Sequence, residues 1–591
     1  MAVGAAPEEA DLLAEESEEL VAQELHPDDL PIPAEEPGGD GIEKSLALGA
    51  TQLAEPAATA RSTSYKTTLR DALRLADQAS FGATDGMLLN IQKQGASTWI
   101  SNQMAQPASI YSSGGTGAIH QHTSKNKGFC DGKGEHCWRN NYSTTPLVWD
   151  FYRNATTRPD QLRQRVAFAL QQIMVVSGVE ISGTYGMRAY NNMLLSNALG
   201  NYRTILKRVT LSPVMGDYLD HVNNDKNAPN ENFARELLQL FSIGLCELNA
   251  DGTLKTGACV PTYDNDMVRN YAYALTGWTY PKGGKSPWGC WPKGTNCVYY
   301  RGDMVEAKSL HNTTARTLLS GVALGEGHSA PQALEAVLDS IMRHPNTAPF
   351  VSRQLIQHLV TSNPSPAYVS RVVSAFNAGR YGKFGRGVQG DMKATVAAIL
   401  LDEEARTASP SATAGRLREP VHFFTATIRS LKGKTYGDAL GWWWGEELRQ
   451  HVFRSPSVFN FYPPDYPVVG TNLVGPAFGI HNANAALQRM NFLNYLMFNN
   501  GSKASKDVPN AVGTSVKLTA FLKEAKDPTM LVDRLSLLAL GEPLPSASRS
   551  AVINAVAAVT EQTHGKDNYL TDRVRQAAYL VFASPQFQLI R

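Results

Sequence analysis

Hydrophobic side chains recur at helical spacing along most of the chain after about residue 65. The segment DQLRQRVAFALQQIMVVSG at 160–178, for example, places Leu162, Val166, Leu170 and Ile173 on one stripe of a helix. Alternating patterns, which are typical of strands, are scarce, and no repeat of about 20–50 residues is present. The pattern predicts a predominantly α fold, with one large irregular multi-helix domain over residues 65–591.

Capping residues and prolines indicate where the helices begin. Thr84 is a typical N-cap, and Ser212 followed by Pro213 marks another helix start. Predicted helical segments are 67–80, 83–95, 158–178, 212–222, 228–245, 264–277, 330–342, 347–361, 366–378, 388–402, 415–431, 480–498, 529–539, 546–562 and 569–583.

The first 64 residues differ in composition from the rest. Residues 1–60 carry fifteen Asp and Glu and a single Lys, for a net charge of −14, while the remaining chain sums to +15. This part lacks aromatic residues and is interrupted by Pro and Gly. It predicts a disordered acidic tail over 1–64, which acts either as a solvated spacer or as a shield for a basic surface.

The bulk composition excludes several classes of protein. The chain has 591 residues, of which 43% are hydrophobic and 18% charged, enough for one large core. No apolar run approaches the roughly 20 residues that span a bilayer. No phosphate-binding loop, nucleophile elbow or dinucleotide fingerprint is present. We expect neither a membrane span nor a nucleic-acid partner.

The six cysteines form three close pairs, each around a loop rich in turn-forming and polar residues. The pairs are Cys130 with Cys137, Cys246 with Cys259, and Cys290 with Cys297. No pair has the spacing of a zinc knuckle or a thioredoxin motif. We therefore expect three local disulfides that staple long loops, and hence an oxidising, extracytoplasmic compartment, periplasmic or secreted. Free structural thiols are the alternative.

The segment APNENFARELLQLFSIGL at 228–245 carries charges at the start of an amphipathic helix. Glu231 and Arg235 are four residues apart and can pair, and Glu236 lies beside them. These three residues are predicted catalytic groups, which would supply acid–base chemistry and orient an anionic group. A structural ion pair at the start of a helix is the alternative.

Residues just upstream add possible metal ligands. Asp220 and His221, with Asp217, are expected on one face of the helix over 212–222. Carboxylates and a histidine on facing helices build metal sites in helical bundles. We expect Asp220, His221 and Glu231 to hold a divalent metal ion, with a polar turn of capping residues as the alternative.

Several long blocks also carry a resemblance. PNENFARELLQLFSIG at 229–244, DMVRNYAYALTGW at 266–278, GRLREPV at 415–421 and SPSVFNFYPPDYPVVG at 455–470 occur in the order of a bacterial family, domain of unknown function 1800 (DUF1800). The chain resembles this family over nearly all of its length after residue 65. The resemblance implies an exported, mostly helical protein. It also implies a partner from domain of unknown function 1501 (DUF1501), a class that is similar to sulfatases and alkaline phosphatases.

The family resemblance also implies signature positions and shows departures from them. The signature positions are Asp220, Asn230, Glu231, Arg235, Glu236, Asp266, His311, His344, Arg353, Asn363, Arg418 and Glu419. His311 joins the predicted catalytic residues. The sequence departs from the pattern at Gln239, Tyr273 and Asn312, which slightly favours a binding role for this chain.

Two functions remain open from the sequence. The first is a metal- or carboxylate-dependent hydrolase that acts on a cell-surface or extracellular polymer. The second is a non-catalytic periplasmic or surface assembly protein that binds a polysaccharide or other polymer, or the sulfatase-like partner. In the second case the contact surface would be the loop 279–300, in which Trp288, Trp291, Tyr299 and Tyr300 stand among lysines.

Overall fold

Helices begin where the sequence supplies a capping side chain. In the computed structural model, which describes residues 65–115, 130–281, 298–408 and 410–591, Thr84 accepts a hydrogen bond from the amide of Met87. Ser329 and Gln332 form a reciprocal capping box. Because these signals are local, the helix starts can be predicted from the sequence. The expectation of a predominantly α fold is confirmed.

The helices and strands run through the described residues in this order. From the start to the fourth strand they are α1 Leu69–Ala79, α2 Asp85–Gln94, α3 Ala96–Ala105, α4 Cys137–Tyr142, α5 Thr145–Thr157, α6 Gln161–Ile173, α7 Thr184–Asn197, α8 Tyr202–Leu211, α9 Pro213–Tyr218, α10 Asn232–Gln239, α11 Asn265–Ala274, β1 Trp278–Thr279, β2 Val305–Glu306, β3 Arg316–Thr317 and β4 Ala323–Leu324. The rest are α12 Ala330–Arg343, α13 Thr347–Leu359, α14 Pro366–Ala378, α15 Met392–Leu401, α16 Glu403–Arg406, β5 Arg416–Leu417, α17 Pro420–Ser430, α18 Trp444–Glu447, α19 Ala483–Met497, α20 Pro528–Leu540, α21 Ser546–Ala557, α22 Glu561–His564, α23 Tyr569–Ala583 and β6 Leu589–Ile590.

The strands of the described chain form three short antiparallel pairs, β1–β2, β3–β4 and β5–β6. In the last pair Arg416 lies opposite Ile590 and Leu417 opposite Leu589. The amide of Arg418 also donates to the carbonyl of Gln588 over 2.7 Å. The C-terminal segment therefore fixes the backbone of Arg416, which lines a pocket described below.

Part of the predicted helix 415–431 is this strand. Residues 416–417 pair with β6, and the helix α17 starts only at Pro420. Proline suits the first turn of a helix because its missing N–H has no intrahelical partner there. The strand partner lies about 170 residues along the chain, so no local pattern indicates it.

One hydrophobic core joins most of the helices. The described residues belong to one compact unit, Ala54–Arg591, and no helix among them is long and apolar enough to cross a membrane. Disulfides join Cys130 with Cys137 and Cys246 with Cys259, as expected. Residues Cys290 and Cys297, together with the acidic tail 1–64, lie outside the described residues. The division at residue 64 stays a prediction.

Candidate functional site

The helix before the predicted charged cluster is shorter than its sequence indicates. α9 ends at Tyr218, and the amide of His221 donates to the carbonyl of Gly216 over 2.8 Å. Asp220 takes a left-handed conformation, with φ at 55°. The expectation that Asp217, Asp220 and His221 share one helical face is therefore wrong, because the last two lie in the turn after the helix.

The charged residues at the start of α10 form partly exposed ion pairs. Glu231 Oε2 lies 3.0 Å from Arg235 Nη2, and Glu231 Oε1 lies 3.7 Å from Arg269 Nε. The side-chain amide of Asn232 donates to Asp220 Oδ2 over 2.8 Å. An exposed helical pair stabilises a helix by about 0.2–0.5 kcal/mol. These contacts join the turn to the helix, and a catalytic role for Glu231 and Arg235 stays a prediction.

The three predicted metal ligands have separate surroundings. His221 is buried with its ring stacked on Phe233, 4.4 Å between centroids, and burial lowers its pKa to about 3. Asp220 is bonded to Asn232, and Glu231 is paired with arginines. In the described ranges no three His, Cys, Asp or Glu side chains are grouped to hold a metal ion. The three residues are not arranged as a metal centre, and the divalent ion stays a prediction.

Glu236 and His311 have different environments. Glu236 is half-buried, and its Oε2 has no hydrogen-bond partner among the described residues. Burial raises the pKa of Glu236, against the charge of Arg235. His311 is buried with its Nδ1 2.8 Å from the carbonyl oxygen of Thr276, and its ring meets His328 edge-on. His311 therefore packs on the segment around Thr276, and its predicted catalytic role stays a prediction.

Two tyrosines complete this region. The hydroxyl of Tyr280 donates to Asp217 Oδ1, and Tyr300 also hydrogen-bonds to Asp217. Burial raises the pKa of Asp217 to about 6, although these hydrogen bonds act to lower it. Burial, helped by the charge of Asp220, also raises the pKa of Glu180. The hydrogen bond between Asp217 and Tyr280 cannot be predicted from a local sequence pattern, because the two residues are 63 positions apart.

A separate pocket of about 500 Å³ is lined by residues of α6, α13, β5 and the segment 458–477. Its volume falls within the roughly 300–1,000 Å³ of small-molecule sites. The apolar lining includes Leu240, Leu245, Phe350, Leu417, Val458 and Phe459. The polar lining includes Gln172, Arg353, Gln354, His358, Arg416 and Tyr462.

A buried carboxylate contacts this lining. Glu419 Oε1 lies 3.3 Å from Arg416 Nη1 and 3.2 Å from His422 Nδ1. Its Oε2 accepts hydrogen bonds from the hydroxyl of Tyr462 at 2.7 Å and the amide of Gln450 at 2.6 Å. Burial acts to raise the pKa of Glu419, but His422, Arg416 and a second buried arginine hold it well below its usual range. Glu419 is therefore an ionised carboxylate engaged at both oxygens.

Arg165 on α6 is that second arginine. It is fully buried and donates through Nη2 to the carbonyl of His358. Burial and the charge of Arg416 lower the pKa of Arg165 to about 9, which leaves it charged at neutral pH. Burial lowers the pKa of His358 to about 4, so the imidazole is neutral. Two buried arginines thus accompany one buried carboxylate, Glu419, and this network carries excess positive charge.

Some buried hydrogen-bond donors of the pocket lining have no acceptor among the described residues. Gln354 Nε2 and Arg416 Nε are buried and have no hydrogen-bond partner within the described ranges. Arg353 Nη1, on the pocket wall, lies 3.4 Å from the carbonyl oxygen of Gly252, a long contact. A buried donor without an acceptor costs about 1–3 kcal/mol. The pocket therefore favours a group that brings acceptor oxygens and negative charge, since Arg353 and Arg416 outnumber the one carboxylate of the lining, Asp465.

Comparison with known protein families shows to which family the chain belongs. The family described as protein of unknown function (DUF1800) matches residues 74–589. This chain belongs to the DUF1800 family. Comparisons with curated proteins and with solved structures give no significant match. The DUF1800 resemblance stated from the sequence blocks is thereby confirmed over nearly the whole chain.

The DUF1800 signature positions fall in both regions. Asp220, Glu231 and their neighbours surround the start of α10, whereas Arg353 lines the pocket and Glu419 contacts its lining. Asn363 exchanges two hydrogen bonds with the backbone of Val474, at 2.8 and 2.9 Å. This DUF1800 residue therefore anchors the segment that forms one pocket wall.

Sequence analysis of this DUF1800 chain missed most of the polar pocket residues, although one signal was present. Arg165 and Gln172 are seven residues apart, so they share a stripe of the helix next to the apolar stripe that holds Leu162 and Val166. A charged side chain must find partners when it is buried. The partners Arg416 and Tyr462 come from distant segments, which a local pattern does not identify.

Proposed function

We propose that this DUF1800 protein is an extracytoplasmic binding protein that holds an anionic group of a cell-surface or extracellular polymer in the 500 Å³ pocket. The observation that carries the proposal is that two buried arginines, Arg165 and Arg416, accompany a single buried carboxylate, Glu419, which is paired with Arg416. The disulfides Cys130–Cys137 and Cys246–Cys259 support an oxidising compartment.

The pocket chemistry favours binding over catalysis. Both oxygens of Glu419 are already engaged, so this carboxylate acts as a fixed counter-charge. His358 and His422 are both neutral, because burial lowers their pKa values. Charged donors held in place by a buried network recognise phosphate, sulfate or carboxylate oxygens strongly, since charge-assisted hydrogen bonds are about twice as strong as neutral ones.

A direct binding experiment tests this proposal. Inorganic phosphate and sulfate would be titrated calorimetrically, and an anionic polysaccharide such as polygalacturonate would be tested by affinity electrophoresis. Arg353→Gln removes a charge from the pocket wall and should weaken binding about tenfold, the value of one charge-assisted hydrogen bond. Arg208→Gln is the matched control, because Arg208 pairs with Asp303 and does not line the pocket.

The results of this experiment either support or exclude the pocket as an anion site. Weaker binding in Arg353→Gln, with Arg208→Gln close to wild type, supports the pocket. If wild type binds none of the probes, or if both variants bind equally, the pocket is not an anion site. Binding should also weaken at high salt, because salt screens the attraction between the anion and the partly exposed Arg353.

A carboxylate-dependent hydrolase is the second candidate, at the other region. Its support is that burial raises the pKa of both Asp217, to about 6, and Glu236. A carboxyl group protonated near neutral pH can act as a general acid beside an ionised carboxylate. Release of reducing ends or phosphate from a polymer by wild type, and its loss in Glu236→Gln, would favour this function over binding alone.

The predicted partner from the DUF1501 family remains part of the proposal. Its likeness to sulfatases and phosphatases matches a pocket that suits sulfate or phosphate esters. Co-purification of the two proteins, compared between wild type and Arg353→Gln, would test whether they meet at the pocket. The predicted contact loop 279–300 includes Trp288 and Trp291, which lie outside the described residues.

A further inference from the structure

The mouth of the pocket is apolar and open. Leu245 and Phe459 both line the pocket, yet their surfaces are 54% and 53% exposed. Large hydrophobic side chains are seldom this exposed in a contiguous patch unless the surface binds something. The apolar lining continues inward through Leu240, Phe350 and Val458. The same cavity therefore combines a charged, donor-rich part with an apolar one.

The segment next to the pocket wall carries further exposed apolar side chains. Val469 is 95% exposed, and Tyr466 and Phe478 are also exposed. The turn that carries Val469 is held by backbone hydrogen bonds, from Val468 to the carbonyl of Leu473 at 2.9 Å and from Gly475 to that of Tyr466 at 2.8 Å. These side chains are thus presented by an ordered turn.

Residues of this turn and the pocket wall are continuous in the chain. Asp465 lines the pocket immediately before Tyr466, and Pro476 and Ala477 line it immediately after the turn. Leu245 lines the pocket from a different segment, which follows α10. A concave wall that passes from buried arginine to exposed apolar side chains suits one elongated ligand that is charged at one end.

We infer that the group bound in the pocket is an anionic amphiphile: a phosphate, sulfate or carboxylate head with a linear alkyl or acyl chain. The head would lie near Arg353 and Arg416, and the chain would run past Leu245 and Phe459. This inference rests on the proposed anion-binding function and names its ligand class. A free lipid and an acylated or lipid-linked polymer share this chemistry.

The test uses inorganic phosphate, butyl phosphate and octyl phosphate, each below its micelle concentration, in calorimetric titrations of the full chain. Each methylene that becomes buried should tighten binding up to about fourfold. Octyl phosphate should therefore bind at least about tenfold more tightly than butyl phosphate. The variant Leu245→Ser/Phe459→Ser should remove this gain, so that octyl and butyl phosphate bind to it about equally.

A matched variant controls for the loss of exposed apolar surface. Leu487→Ser/Phe498→Ser changes two exposed side chains that do not line the pocket, and it should bind octyl phosphate like wild type. Equal affinities for butyl and octyl phosphate, or an equal loss in both double variants, would overturn the amphiphile while the anion site stands. Absence of binding to inorganic, butyl and octyl phosphate alike would overturn the proposed function and, with it, the inference.

If octyl phosphate binds as expected, the two natural sources can be separated. Lipid extracted from the purified protein and identified by mass spectrometry would show a free amphiphile. Retention of an acylated anionic polysaccharide, and its loss after the acyl groups are removed by mild base, would show a polymer-borne group. Either source supports the inference, which concerns the shared chemistry.

Discussion

Burial raises the pKa of the Asp217 carboxyl from 3.8 to about 6, and this shift couples folding to pH. A carboxyl whose pKa is raised in the folded state binds its proton more tightly there than in the unfolded chain. Its stabilising effect is complete below about pH 4 and is lost as the pH rises through 6. Above pH 6 the buried charge costs up to about 3 kcal/mol, at 1.36 kcal/mol per pKa unit.

Asp217→Asn should therefore stabilise the protein above pH 6. The amide keeps an acceptor for Tyr280 and carries no charge. We expect its free energy of unfolding, relative to wild type, to increase by about 1–3 kcal/mol between pH 4 and pH 7, as measured by urea unfolding. Asp251→Asn should show the opposite trend and at lower pH, below about pH 4, because hydrogen bonds from Thr253 lower the pKa of Asp251. A pH-independent difference for Asp217→Asn would refute the shift.

Single residues also show which contacts can be predicted from the sequence and which cannot. The charges of Glu231 and Arg235 pair as their spacing indicates. The stacking of His221 on Phe233 depends on a turn whose left-handed Asp220 has no signature in the hydrophobic pattern. A local pattern predicts contacts within a helix, while the environment of a buried group depends on segments that fold against it.

Helices and strands show the same difference between local signals and contacts with distant segments. The helices α14 and α23 have the bounds predicted for them, 366–378 and 569–583, and α12 extends one residue past its predicted end. Pro366 and the Ser365 cap explain the first start, since both are local signals. The predicted helix 388–402 begins only at Met392, because Asp391 caps it there. The pairing of β5 with β6 is invisible to helical periodicity.

The loop closed by the Cys246–Cys259 disulfide contributes residues to the pocket lining. Cys246, Leu245 and Leu248 line the pocket, and the amide of Glu247 donates to the carbonyl of Val260, next to the disulfide, over 2.7 Å. The disulfide spans 13 positions. A loop of this length loses about 3 kcal/mol of stability when its disulfide is removed.

Cys246→Ser/Cys259→Ser should lower the free energy of unfolding by about 2–4 kcal/mol and also weaken anion and alkyl phosphate binding, because the pocket wall is released. Cys130→Ser/Cys137→Ser is the comparison, since that disulfide does not line this pocket. It should reduce stability without changing the binding constant. Equal binding in both variants would show that the loop does not shape the pocket. Thermal unfolding and calorimetric titration provide the two readouts.

At the scale of the whole molecule, charge separates the first 60 residues from the rest. They sum to −14 and the remainder to +15, while the family match covers only 74–589. The hydrophobic pattern made the helical fold class predictable, while the division by composition stays a prediction. The pocket was not predictable, because Arg165, Arg416 and Tyr462 converge from segments separated by up to about 300 residues.

Deleting residues 1–60 should leave the thermal midpoint within about 2 °C of the full chain, because the described core lies in 65–591. The same deletion changes the net charge from +1 to +15. If the acidic segment shields a basic surface, binding of polygalacturonate should tighten and become more sensitive to salt, since more positive charge is then available to the polymer. If the segment is a solvated spacer, the affinity and its salt dependence should stay near those of the full chain. A midpoint lowered by more than about 5 °C would show instead that residues 1–60 contribute to the folded domain.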